Sequence, residues 1–136
     1  MPNADVFEHR LVVERTQAEL ARKARVARSF VDRMVGLLGR QGLDEGHALI
    51  LPHCRSIHTW FMRFPIDVVF VDRQWGVVAV CETIPAWRIS PVIWRAWAAV
   101  ELPAGTVKRT PVQVGDRLIP HPLTTFRQRG WSGKQA

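Results

Sequence analysis

The sequence predicts an α+β domain: a mainly antiparallel, barrel-like sheet of about seven or eight short strands with one principal helix over residues 29–38. Three observations predict it. Short β-branched and aromatic runs recur along the chain, each closed by Pro, Gly or Asp. A single segment, starting at Ser29, carries a clear helical period. The 136 residues suit one domain, and 47% apolar with 23% charged residues is an ordinary globular composition. The expected layout is an N-terminal extension over 1–10, one domain over 11–121 and a loose basic tail over 122–136.

The elements follow in order. Leu11-Val12-Val13 is β-prone. Thr16 to Glu19 reads two ways: as a capping box opening a helix, or as a turn before a return strand with Leu20, Arg22, Ala24 and Val26 on one face. Ser29 caps a helix in which Phe30, Met34, Leu37 and Leu38 form one apolar stripe, and Gly39 ends it. Gly36 inside that helix costs about 1 kcal/mol against Ala, which points to close packing there. Strand-like runs follow at Ala48–Leu51, Ile57–Met62, Val68–Val71 and Val77–Ile84. The last two are joined through Asp72-Arg73-Gln74-Trp75-Gly76 as a hairpin. Trp87–Trp97, with Pro91 and three of the six Trp, reads as an ordered loop or edge segment. Ala98–Leu102 and Arg117–Pro120 complete the strands.

Charge excludes little by itself. Lys plus Arg number 19 against 12 Asp plus Glu, a net +7 with a sequence pI near 11. Residues 1–40 carry +3, residues 41–104 carry −1 and residues 105–136 carry +5, so the excess lies at the ends. A nucleic-acid site would therefore use the basic termini. The richness in Arg over Lys also fits a GC-rich coding bias. Two cysteines, Cys54 and Cys81, make no disulfide framework, and no apolar leader follows Met1, so a cytoplasmic protein with reduced thiols is expected. No apolar stretch reaches the ~20 residues of a membrane span.

Four blocks carry a family resemblance. They are Arg33–Arg40 (RMVGLLGR), Cys54–Asp72 (CRSIHTWFMRFPIDVVFVD), Glu101–Gly105 (ELPAG) and Val114–Leu118 (VGDRL). In this order and spacing they resemble the DUF192 family of small uncharacterised bacterial and archaeal proteins, over roughly residues 11–120. The resemblance implies a two-strand opening before the helix, which selects the hairpin at Thr16. It implies no activity, because the family has no agreed biochemical function. One departure is Gly46-His47-Ala48, where relatives tend to carry Gly-Leu or Gly-Met, so His47 reads as incidental.

Several residues are chemical candidates. Cys54 and His58 suit a metal such as zinc, or a nucleophile with its base; on a strand the two would share a side. Two ligands do not complete a metal site, and no oxyanion feature marks Cys54. Asp67 and Glu101, acids within apolar runs, read either as internal ties to Arg33, Arg40 or Arg63, or as a cleft holding a small polar ligand with Arg33, Arg40 and His58. Gly36, Met62, Pro65, Gly105, Gly115 and Asp116 are read as structural motif positions. Trp87, Trp94 and Trp97 beside Arg88 and Arg95 pin the loop or form a surface for a partner or single strand. The expectation is a non-enzymatic binding or accessory module without a cofactor. Its rivals are a Cys/His enzyme or metal protein, and a nucleic-acid binder.

Overall fold

A computed structural model of the chain describes residues 8–27, 43–59 and 63–123. The expected helix over 29–38, with Arg33 and Gly36, and the positions Arg40 and Met62 lie outside these residues. The described elements are β1 (Glu8–Val13), β2 (Glu19–Val26), β3 (His47–Pro52), β4 (Ile66–Val71), β5 (Val77–Ile84), β6 (Ala98–Pro103), α1 (Thr106–Arg109) and β7 (Leu118–Pro122). They form one seven-stranded sheet in the order β5-β4-β6-β3-β2-β1-β7.

Adjacent strands are antiparallel except β2 and β3, which run parallel through the pairs Lys23–His47 to Val26–Ile50. A parallel pair needs a long crossover, which residues 27–46 supply. The opening hairpin forms as expected: Thr16 Oγ1 accepts the Ala18 N–H and the Gln17 N–H reaches the Val13 carbonyl. The β4–β5 hairpin also forms, turning at Asp72, whose Oδ1 accepts the N–H groups of Gln74 and Gly76. Strand pairing extends into both expected flanks, because β1 begins at Glu8 and His9 pairs with Pro122.

The sheet curls into a half-barrel whose edge strands touch at one end. Gly76 bridges Arg117, the Val77 N–H donates to the Asp116 carbonyl at 2.8 Å, and the Leu118 N–H donates to the Trp75 carbonyl at 2.9 Å. Curling gives the sheet two packed faces. Leu11, Val13, Leu20, Ile50, Val69, Val100 and Leu118 fill the interior, and Val107 of α1 joins them. Leu49, Leu51, Ile66, Val68, Phe70 and Ala99 face the other way, under Ile57, Phe64 and Ala96. β4 is consequently buried along its whole length, which is why IDVVFV shows no alternation.

Two expectations need correcting. Ile57–Met62 is strand-like in composition, yet its described part makes only an isolated bridge, His58 to Ile89. Residues 57–59 lie with residues 87–97 as an irregular layer over the outer face. Two buried hydroxyls pin the layer: Thr59 donates to the Pro85 carbonyl and accepts the Arg88 N–H, while Ser90 accepts the Ile57 N–H. In addition, α1 left no sign in the sequence, since four residues are too few to show a period.

Candidate functional site

Asp67 sits at the point where three elements meet. Its Oδ1 accepts the Thr83 N–H at 2.8 Å, and its Oδ2 accepts the N–H groups of Gly105 at 3.1 Å and Val107 at 3.0 Å. The side chain is 0% exposed. Each donor has a local cause. A β-bulge in β5 turns Thr83 into the left-handed region (φ 52), freeing its N–H from the ladder. The α1 N-cap is Gly105, also left-handed (φ 92), with no side chain to cap the helix. Asp67 supplies that cap from β4. The P-I-D block and the P-A-G block thus meet in space.

Glu101, equally buried, lies on the opposite face of the sheet. Asp67 is paired with Leu102 of the interior cluster, whereas Glu101 is paired with Val68 and Leu49 of the outer cluster. Asp67 and Glu101 therefore do not line one cleft. His58 lies in the covering layer, and the Cys54 thiol donates to the Ser56 carbonyl at 3.0 Å. Cys54 and His58 are not on a common strand, so the same-side geometry expected of them does not arise. No disulfide joins Cys54 and Cys81; both pack against the outer cluster, and burial pushes the Cys81 thiol up from its ordinary value. Among the described residues no three His, Cys, Asp or Glu side chains gather as metal ligands.

Asp116, of the Gly115-Asp116 block, is also engaged. Arg15 grips it with two bonds, Nε to Oδ1 at 2.6 Å and Nη2 to Oδ2 at 3.0 Å, and Oδ2 also accepts the Gln113 N–H. The Arg15 hydrogen bond holds the Asp116 carboxyl below its usual range. Gly115 is left-handed (φ 99) in the turn that presents it, and Pro65 stands exposed at the entry to β4.

A different region is open. A cleft of about 490 Å³ is lined by His53, Arg55, Arg73, Trp94, Arg95 and Trp97, with Asp72 and Gln74 from the β4–β5 turn. Three backbone bonds assemble it: Trp97 N–H to Val71, Cys54 N–H to Trp97 and Ile93 N–H to Arg55. The Trp97 ring is fixed by edge-to-face contacts with His53 at 6.1 Å and Trp75 at 6.0 Å. Trp94, by contrast, is 74% exposed. None of Arg55, Arg73 and Arg95 forms an ion pair among the described residues. Asp72 lies among them, but its Oδ1 is taken by the turn N–H groups.

Sequence reading identified Trp94, Trp97 and Arg95 as neighbours but missed Arg55 and Arg73. A signal was present. Residues 53–59 and 85–97 contain His53, Arg55, His58, Arg88 and Arg95 and no acid, although residues 41–104 as a whole are slightly negative.

What these features define is a small single-sheet domain whose motif carboxylates Asp67 and Asp116 tie its elements together. Residues 11–119 match the profile of DUF192, described as an uncharacterized ACR family. The chain belongs to the DUF192 family. A UPF0127 protein of Pyrococcus abyssi is 37% identical over 102 residues, covering 71% of this chain and 84% of the relative. A UPF0127 protein of Pyrococcus horikoshii is 36% identical over 102 residues, covering 71% and 85%. Two solved structures share the fold. A protein of unknown function from Novosphingobium aromaticivorans superposes with a TM-score of 0.70 at 20% identity, over 88% of this chain and 89% of that one. A proposed transcription regulator from Sinorhizobium meliloti superposes with a TM-score of 0.69 at 22% identity, over 86% and 95%. No described helix is long and apolar enough to cross a membrane.

Proposed function

We propose that this protein is a non-enzymatic binding module for a small anion, seated in the cleft of Arg55, Arg73 and Arg95. The observation that carries this reading is that three arginines, unpaired among the described residues, line one cavity of about 490 Å³. That volume lies within the ordinary range of small-molecule sites. Guanidinium groups are suited to oxyanions, since their planar N–H pairs match phosphate and carboxylate oxygens. The alternative seat around Asp67 is less favoured, because both of its oxygens already accept backbone N–H groups. A Cys54–His58 enzyme draws no support from a thiol that donates to a carbonyl.

Calorimetric titration of the full chain with inorganic pyrophosphate tests this. Binding is expected at low ionic strength and weakens as salt screens the charges. The double variant Arg55→Ala/Arg95→Ala loses it, whereas Arg10→Ala, which breaks only the exposed pair with Glu19, does not. Absence of binding at low salt, or equal binding by the double variant, would sink the proposal.

A further inference from the structure

We infer that the anion this cleft takes is part of a nucleotide, with its phosphate on the arginines and its base stacked on Trp94. The inference rests on the anion-binding reading above and adds the ligand's class. Phosphate alone accounts for the guanidinium groups but leaves three features of the cleft without a role.

The first is Trp94 itself. The residue is 74% exposed, so it adds little to the core, yet it lines the cavity beside Arg95. Its face is free to take a stacking partner. A nucleobase suits it well, because every base has a π-face and stacks on an indole irrespective of sequence. The second is size. A phosphate group fills only a small part of about 490 Å³, leaving room for a sugar and a ring. The third is Gln74, a lining residue whose side-chain amide, with two donors and one acceptor, has no described hydrogen bond. Sugar hydroxyls and base edges are the groups such an amide reads.

The cleft is also pre-formed. Trp97 is held between His53 and Trp75, its O and N–H fixed by Cys54 and Val71, so this part of the lining does not have to order on binding. Charge fits as well: three arginines against Asp72 leave a local excess of two positive charges, which a phosphate monoester dianion balances. An acidic peptide would satisfy the arginines but offers no obligatory ring for Trp94.

The test compares four probes on the full chain at low salt: inorganic phosphate, ribose 5-phosphate, AMP and an eight-nucleotide oligoadenylate. AMP is expected to bind about 5- to 150-fold more tightly than ribose 5-phosphate, the range of one base–aromatic stack. Trp94→Ala removes that margin and leaves ribose 5-phosphate affinity unchanged, while Trp94→Phe retains most of it. Trp87→Ala, an exposed Trp of the same loop that does not line the cleft, changes nothing. Thermal melts of both alanine variants confirm folding. A strand source shows as oligoadenylate binding far more tightly than AMP; a free-nucleotide source shows as parity. Equal affinity for AMP and ribose 5-phosphate overturns the nucleotide inference and leaves the anion reading intact. If none of the four binds, both fall.

Discussion

Asp67 and the Arg–Trp cleft are both polar regions of one small domain, and they are opposites. Asp67 is wholly buried, with each carboxylate oxygen aimed at backbone N–H groups that would otherwise be orphaned. Arg55, Arg73 and Arg95 surround an open cavity and are paired with no described acid. A polar group already satisfied inside the fold has little interaction left for a ligand, while an unsatisfied one at a cavity wall has all of it. Asp67 is thus engaged by the fold itself, whereas the three arginines are not.

The largest effect is expected from Asp67→Ala. It takes the acceptor from the N–H groups of Thr83, Gly105 and Val107, of which Val107 is buried and the other two residues are only partly covered or exposed, so a loss of about 1–3 kcal/mol is expected. Asp67→Asn keeps one carbonyl oxygen and sets an NH₂ group against the remaining donors, so an intermediate loss is expected. Urea midpoints measure both. A loss under about 1 kcal/mol for the alanine variant would mean that Asp67 is not the tie described here.

The converse substitution is Arg55→Ala/Arg95→Ala. Both side chains are exposed at the surface of the layer, so stability should change by no more than about 0.5 kcal/mol each. Pyrophosphate affinity should fall at least tenfold, about 1.4 kcal/mol. Stability loss without affinity loss would erase the distinction between the two regions.

Much of the fold was legible in the sequence, because hairpins are local. Asp72-Arg73-Gln74-Trp75-Gly76 carries its own turn chemistry, and the opening hairpin needed only the choice at Thr16. The site was not legible, for two physical reasons. Whether Asp67 and Glu101 share a face depends on a one-residue register between β4 and β6, which pairing decides and local sequence does not. The cleft is built from residues 53–55, 72–74 and 94–97, segments distant in sequence that backbone bonds and the His53–Trp97 ring contact bring together. The layer itself reads as a strand at Ile57 because its inward side chains are apolar, whatever its hydrogen bonding.

A third test concerns Asp116, which is engaged like Asp67 but by a side chain at the surface. Its carboxyl is held below the usual range, mainly by the Arg15 hydrogen bond. A carboxyl whose folded pKa lies below its unfolded value of about 3.9 adds stability above that pH and loses it as pH falls through the folded value. The wild-type chain should therefore exceed Arg15→Ala in urea midpoint at neutral pH, and the gap should close in acid. A gap independent of pH would assign Arg15 a packing role in place of the ionic one.

The smallest expected effect probes how Asp67 obtains its third donor. Thr83 is β-branched yet left-handed (φ 52), a conformation costing L-residues about 1–2 kcal/mol. The bulge persists because its N–H reaches Asp67. Asn tolerates this region without the backbone freedom of Gly, so Thr83→Asn should stabilise by up to ~1 kcal/mol. Thr83→Gly should gain less, because Gly loses more entropy on folding, roughly 0.5–1 kcal/mol. Thr83→Val keeps the branch and should gain nothing. Chemical denaturation of the three variants orders them Asn, Gly, Val. In an Asp67→Asn background the gain from Thr83→Asn should shrink if the site loses the acceptor that holds the bulge, because the strained conformation is then no longer required. An unchanged gain would show that the bulge is fixed by the β4–β5 register alone, leaving the carboxylate to hold only Gly105 and Val107.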